Sequence, residues 1–229
     1  MTTTLITGAN KGLGFETARQ LIAAGHTVII GSRDADRGRR AADELGTQMV
    51  LIDVTDDASV AAAANRMAAD GGLDVLINNA GIAVPDDAAE TTADTMRTVF
   101  DTNVFGLVRV THAFVPLLQR SVSPVIVNVS SGLASLSRVS TPDTPAYAYP
   151  GVAYPASKAA VNMVTVQFAK AFPDFRINAV EPGYTATDIN GHAGTQTVEQ
   201  GAAIIVRMAL IGEDGPTGSY MDAAGALPW

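Results

Sequence analysis

The chain holds 229 residues, 47% hydrophobic and 17% charged, a composition that excludes global disorder and suits one or two domains of about 150 residues each. It has no cysteine and three scattered histidines, which excludes a disulfide framework, a thiolate zinc centre and a cysteine nucleophile and argues against any metal site. Its 15 basic and 23 acidic residues leave a net charge of −8, the wrong sign for a nucleic-acid-binding face.

In chain order, strands are expected at 3–7, 27–31, 48–52, 75–78, 125–128, 176–180 and 218–221. Most are near-continuous apolar runs such as Val28-Ile29-Ile30 and Val125-Ile126-Val127, the pattern of parallel strands covered on both faces. Helical stretches fall between them at 12–24, 34–45, 56–69, a long region near 91–119, 152–172 and 197–210. This alternation predicts an α/β fold: a single-domain, Rossmann-type, doubly wound sheet of about seven mainly parallel strands with helices on both faces. No repeat or long linker divides residues 1–229. Segment 135–151, with Pro142, Pro145 and Pro150, is expected as a surface excursion. No uncharged apolar run reaches the ~18 residues needed to span a bilayer. Met1-Thr2-Thr3-Thr4 lacks the basic start of a secretory leader. The expectation is a cytoplasmic protein with no membrane partner.

The first strand runs into Gly8-Ala9-Asn10-Lys11-Gly12-Leu13-Gly14 and then a helix. Glycines let such a turn approach a pyrophosphate, whose charge meets the N–H groups of the helix N-terminus. The spacing is G-x-x-x-G-x-G, and its bland alternative is a turn that needs positive φ. The second strand ends at Ser32-Arg33-Asp34. A basic residue there suits the 2′-phosphate of NADP, an acidic one the ribose hydroxyls of NAD. With Ser32 in the strand-end slot, Arg33 and Lys11 converge on one anion. In the rival reading Asp34 holds the ribose, although Asp34 also suits the N-cap of the next helix.

Tyr154-Pro155-Ala156-Ser157-Lys158 sets a tyrosine and a lysine on one helix face. A cation near a phenol lowers its pKa toward neutrality and makes it a usable acid or base. Ser130 and Ser131 close the fifth strand, where ligands of an open α/β sheet bind. One of the two is expected to satisfy backbone groups instead.

Taken together, Thr7 to Gly14, Asn78-Asn79-Ala80-Gly81, Asn103, Ser131, Tyr154 with Lys158, and Pro182-Gly183 occur in the order and at the intervals of the short-chain dehydrogenase/reductase family, which the whole chain resembles. The resemblance implies an oxidoreductase in which Tyr154 exchanges the proton with a carbonyl or alcohol oxygen and Ser131 bonds that oxygen. Lys158 would bind the nicotinamide ribose and lower the Tyr154 pKa, and Asn103 would hold a water of the proton relay. Toward the cofactor it implies the turn residues Gly8, Asn10, Lys11, Gly12, Leu13 and Gly14, Arg33 at the phosphate, Asp53 and Val54 at the adenine, and Asn79, Ala80 and Gly81 along the ribose. Pro182, Gly183, Thr185 and Thr187 would lie at the nicotinamide. Without the rest of the pattern, Asn79 reads as a turn asparagine and Asp53 as a helix cap.

The wording around Asn10-Lys11-Gly12, Asn103-Val104-Phe105-Gly106 and Glu181-Pro182-Gly183-Tyr184 is similar to monomeric NADPH-dependent carbonyl reductases. Those share a longer connection before the tyrosine, though this chain carries a shorter one than they do. The implied reaction is NADP(H)-dependent reduction of a small-molecule aldehyde or ketone, with no metal and a monomeric chain, since the extra residues lie near the pairing surface of family tetramers. A 3-oxoacyl-carrier-protein reductase and an alcohol-oxidising dehydrogenase stay open, as does a non-catalytic NADP(H)-binding regulator on the same fold.

Overall fold

The computed structural model describes residues 2–229. Seven parallel strands form one sheet in the order β3-β2-β1-β4-β5-β6-β7. They are β1 Thr3–Ile6, β2 Thr27–Ser32, β3 Gln48–Leu51, β4 Val75–Asn78, β5 Val125–Val129, β6 Arg176–Val180 and β7 Tyr220–Met221. The helices are α1 Gly12–Ala23, α2 Ala35–Leu45, α3 Asp57–Ala69, α4 Ala93–Phe100, α5 Gly106–Leu118, α6 Leu136–Val139, α7 Ala153–Ala171 and α8 Val198–Ala209. Each expected element is present within a residue or two, with two exceptions. The long region near 91–119 is broken into α4, a π-helical turn Asp101–Phe105 and α5. The last strand begins at Tyr220 rather than at 218.

The apolar strands are apolar because both faces are covered. In β1, Leu5 belongs to a cluster with α3 and α5 (Val60, Met67, Phe114, Leu118), while Ile6 belongs to the cluster on the other side with α1 and α8 (Leu21, Ile204, Met208). The same alternation separates Leu76 from Ile77 and Ile126 from Val127, as successive side chains of a strand must. Full burial of each such side chain stabilises by about 1.5–3 kcal/mol. Consecutive strands wind outward in opposite directions from the β1–β4 pair. The carboxyl ends of the strands at this point are where such sheets bind ligands. Among the described residues no helix is long and apolar enough to cross a membrane, and no group of three metal-ligating side chains gathers.

Candidate active site

The glycine turn has the positive φ that its bland alternative requires. Gly8 and Gly12 take φ of +64° and +57°, so positive φ is required. The backbone also approaches its surroundings closely: a Cβ on Gly14 would lie 2.5 Å from Asn79 Nδ2 and 2.8 Å from Ala9 Cα. Lys11 stands at the N-cap of α1 and offers no side-chain acceptor, which leaves the first N–H groups of the helix for an anion. Asn79 is more than a turn asparagine. Its amide donates to the carbonyls of Thr7 at 2.9 Å and Gly8 at 3.1 Å, while the Thr7 hydroxyl accepts from Asn79 and Ala80 N–H. The loop after β4 therefore holds the turn after β1 in shape.

At the end of β2 the two candidate side chains have different surroundings. Asp34 is the N-cap of α2, accepting from Asp36 and Arg37 N–H, and its second oxygen pairs with Arg37 at 2.8 Å. Those bonds, the Arg37 N–H first, hold its carboxyl below the usual range. Ser32 is buried and its hydroxyl donates to the Asp34 carbonyl. Arg33 is exposed, and among the described residues no ion pair engages it. Lys11 does not stand free beside it: its ammonium pairs with Asp188, which also bonds His192 at 2.8 Å. These partners are exposed, and pairs of this kind contribute little, so the pairing opposes an incoming phosphate only weakly.

Asp53 caps a turn, accepting from Thr55 N–H and hydroxyl. The cap of α3 is Asp56, so the helix-cap reading of Asp53 fails. Val54 is built into the core on the α5 side. After β6, the Thr185 hydroxyl donates to the carbonyls of Pro182 and Gly183, Gly183 turns at φ +82°, and Thr187 caps the short helical turn Asp188–Asn190. Thr187 Cγ2 comes within 3.8 Å of where a Gly12 Cβ would stand, so this loop lies against the glycine turn.

The polar corner forms between β5, the π turn and α7. Ser130 and Ser131 part company: the Ser130 hydroxyl donates to Asn162 Oδ1 at 2.6 Å inside the fold, whereas the Ser131 hydroxyl accepts from Leu133 N–H at 3.2 Å and lies near enough to the Tyr154 phenol to oppose the rise of its pKa. Lys158 is buried, donates to the Val129 carbonyl at 2.8 Å and stands 5.7 Å from the Tyr154 ring centre. Asn103 projects from the π turn, a helix irregularity common at functional sites. Its amide bonds Ile82 N–H and carbonyl and the Ser157 hydroxyl. A Cβ on Gly81 would lie 3.4 Å from Asn103 Oδ1 and 3.5 Å from Lys158 Nζ, which brings Gly81, Asn103 and Lys158 together.

The expected lowering of the Tyr154 pKa is not found. Burial pushes the phenol up to about 12, the Ser131 bond opposing and Tyr149 and Glu181 adding. Lys158 is itself drawn down to about 8 by burial, and its ammonium serves a carbonyl rather than the phenol. Spacing on one helix face sets proximity; desolvation, invisible in the motif, decides the sign.

Three features escaped the motif reading. Val152, the N-cap of α7, offers no side-chain bond; Asp86 supplies the cap from the loop after β4, accepting from Val152 N–H at 3.0 Å, Ala153 N–H at 2.9 Å and the Thr91 hydroxyl at 2.8 Å. A helix starting Gly151-Val152-Ala153 lacks a cap of its own, and that was the available signal. Glu181 was marked only as the first residue of Glu181-Pro182-Gly183-Tyr184, without a role, and Tyr220 had no signal.

A glycine turn opening a helix, beside a buried lysine and a tyrosine that share a corner with Ser131 at the carboxyl edge of a parallel sheet, defines a dinucleotide-dependent oxidoreductase class. The profile of the short chain dehydrogenase family matches residues 2–197, and the chain belongs to that family and is an oxidoreductase whose relatives use NAD(P)(H). A (+)-neomenthol dehydrogenase of Capsicum annuum is 30% identical over 294 aligned positions, covering 94% of each protein. That alignment exceeds the 229 residues here, so the relative carries insertions this chain lacks. Among solved structures, salutaridine reductase of Papaver somniferum superimposes with a TM-score of 0.86 at 30% identity over 96% of this chain and 99% of that one. An NADPH-bound carbonyl reductase from chicken fatty liver gives 0.88 at 26% identity over 100% and 99%.

Proposed function

We propose that the chain is an NADPH-dependent carbonyl reductase, acting as one catalytic and cofactor-binding domain over residues 1–229 on a small aldehyde or ketone. The observation that carries this reading is a Tyr154 phenol that burial keeps protonated, with the Ser131 hydroxyl beside it and the Lys158 ammonium 5.7 Å from its ring centre. The residues fit the cofactor: the Gly14 position has no room for a side chain, the α1 N-terminus has no side-chain cap, and exposed Arg33 is free for the 2′-phosphate. When bound, NADPH would supply the hydride. Gly8 to Gly14 and Arg33 would hold its phosphates, Asp53 and Val54 the adenine, Asn79 to Gly81 and Lys158 the ribose, and Pro182 to Thr187 the nicotinamide.

The chain's own chemistry follows from the corner. Ser131 donates to the carbonyl oxygen and polarises it. As the carbonyl carbon is reduced, Tyr154 Oη gives its proton to that oxygen, so the ketone or aldehyde leaves as an alcohol and the phenolate remains. Ser131 and the Lys158 ammonium stabilise that phenolate until solvent reprotonates it. A phenol near 12 favours the acid role over an alcohol-oxidising one, since oxidation needs the phenolate at the start. Lys158 near 8 stays mostly cationic at neutral pH.

The rim of the site selects among substrates. Leu136, Tyr147, Tyr149, Tyr184, Ile189 and Trp229 are exposed apolar residues of the segments next to Tyr154. Loop 82–92 adds Asp86, Asp87 and Glu90, and loop 184–196 has no Lys or Arg. An apolar, acidic rim suits an uncharged ring-bearing carbonyl and repels an acidic acyl carrier. The test is NADPH consumption by the purified chain with ring ketones, aldehydes and a carrier-linked 3-oxoacyl substrate; turnover of the last alone would reject the reading. The exposed residues before α7 favour a monomer, and light scattering that finds a tetramer would reject that part.

A further inference from the structure

We propose that Glu181 and Tyr220 are positioning residues that clamp the Ser131–Gly132 peptide by its two polar ends and so aim the Ser131 hydroxyl at the Tyr154 phenol. The proposal rests on the reductase reading for its consequence, not for its geometry.

Ser131 lies in extended conformation, φ −159° and ψ 150°, directly after Ser130. Neighbouring side chains of an extended segment point to opposite sides, so the orientation of a single peptide plane governs where the Ser131 hydroxyl aims. The carbonyl end of that plane accepts from the Tyr220 hydroxyl. At the N–H end, the Glu181 carboxylate lies against Gly132, its Oε1 3.2 Å from where a Cβ on that residue would stand, and Gly132 N–H helps to lower its pKa. Glu181 Oε1 also accepts from Gly183 N–H at 3.0 Å, so one carboxylate links the serine corner to the turn after β6. Gly132 sits tightly against both side chains: a Cβ there would lie 3.2 Å from Glu181 Oε1 and from Arg138 Nη1.

The two side chains are held firmly. Tyr220 is 2% exposed and its ring stacks on Trp229 at 5.5 Å. The groups facing Glu181 are Arg138 of α6, Asp222 after β7, Tyr220 of β7 and Tyr154 of α7. Burial raises the Glu181 carboxyl above its ordinary range, only partly offset by Arg138 and the two N–H groups. A carboxylate kept in so unfavourable a place is explained by what it holds. The β5–β6 register ends at Val129 and Val180 without it.

The test uses Tyr220→Phe, which keeps the ring stack, and Glu181→Gln, which keeps the shape. Each should lower kcat for carbonyl reduction by about 5–50-fold while the NADPH KM stays within about 2-fold, because misplacing a positioned group acts on the reaction and not on remote binding. In a Ser131→Ala background neither should cost more than about 2-fold further, since partners in one network are non-additive. Full additivity on Ser131→Ala overturns the clamp. Amide hydrogen exchange on the cofactor-free chain reads the geometry independently: both variants should speed exchange at Gly132 and leave α1 and β4 unchanged. Unchanged Gly132 exchange also overturns the clamp. A fully active Ser131→Ala enzyme would instead reject the reductase mechanism, and exchange at Gly132 would then decide the clamp alone.

Discussion

Around residues 7–14 the shape is made by backbone: two glycines at positive φ, one glycine with no room for a Cβ, and a cross-loop amide from Asn79. Around Ser131 and Tyr154 the shape is made by side chains that arrive from far along the chain. Asn103 reaches Ser157 across 54 positions, Asp86 reaches Val152 across 66 and Tyr220 reaches Ser131 across 89. The first region contains no buried ionisable group; the second buries a lysine and half-buries a tyrosine and a glutamate. A backbone cradle tolerates changes of pH and gives binding. A desolvated polar corner stores strained protonation states and gives chemistry, at some expense of stability.

Tyr154→Phe should break the corner most severely, lowering turnover by about 10²–10⁴-fold, the usual size of a general acid contribution. NADPH affinity, read by fluorescence titration, should hardly change, because the cradle is untouched. A variant retaining wild-type turnover would remove Tyr154 from the mechanism.

Arg33→Ala probes the cradle. One charge-assisted bond to a partly exposed phosphate is worth about 1.5–3 kcal/mol, so the NADPH KM should rise about 10–150-fold. The NADH KM should stay where it is. Equal losses for both cofactors would show that Arg33 does not read the phosphate.

Lys158→Met separates stability from activity. Burial draws the amine from its ordinary value of 10.5 down to about 8, so between those values the unfolded chain binds the extra proton and stability rises with pH. Below pH 8 the buried cation costs most. The variant, inactive, should therefore unfold about 1–3 kcal/mol harder than wild type at pH 7, after losing the bond to Val129, with the gain shrinking toward pH 10. Chemical denaturation at the two pH values measures it; a variant equally or less stable at pH 7 contradicts the burial cost.

The smallest effect belongs to Asp86→Ala, which strips the cap of α7 and should cost about 0.5–2 kcal/mol. Burial pushes the Asp86 carboxyl up, but the Ala153, Thr91 and Val152 donors outweigh it and hold it below its ordinary value. Its contribution is thus present above pH 3.8 and fades as pH falls below that. The difference in midpoint between wild type and variant should therefore be larger at pH 7 than at pH 3, and a pH-independent difference would show that the carboxylate charge is not what caps the helix.

Local residues were enough for the alternation of strands and helices, the parallel character of the strands and the glycine turn, because apolar runs, caps such as Asp34 and glycine spacing act within a few positions. The family pattern likewise marked Ser131 rather than Ser130, together with Tyr154 and Lys158, and it set Arg33 at the phosphate with Asp34 as the rival. Packing supplied the partners: Asn162 holds Ser130, Arg37 and the α2 N–H groups hold Asp34, and Lys11 is drawn to Asp188. The π turn under Asn103, the cap from Asp86 and the Glu181–Tyr220 brace exist only once distant strands meet. The sign of the Tyr154 shift was decided in the same way, since desolvation depends on everything that surrounds a group and a four-residue spacing carries none of it.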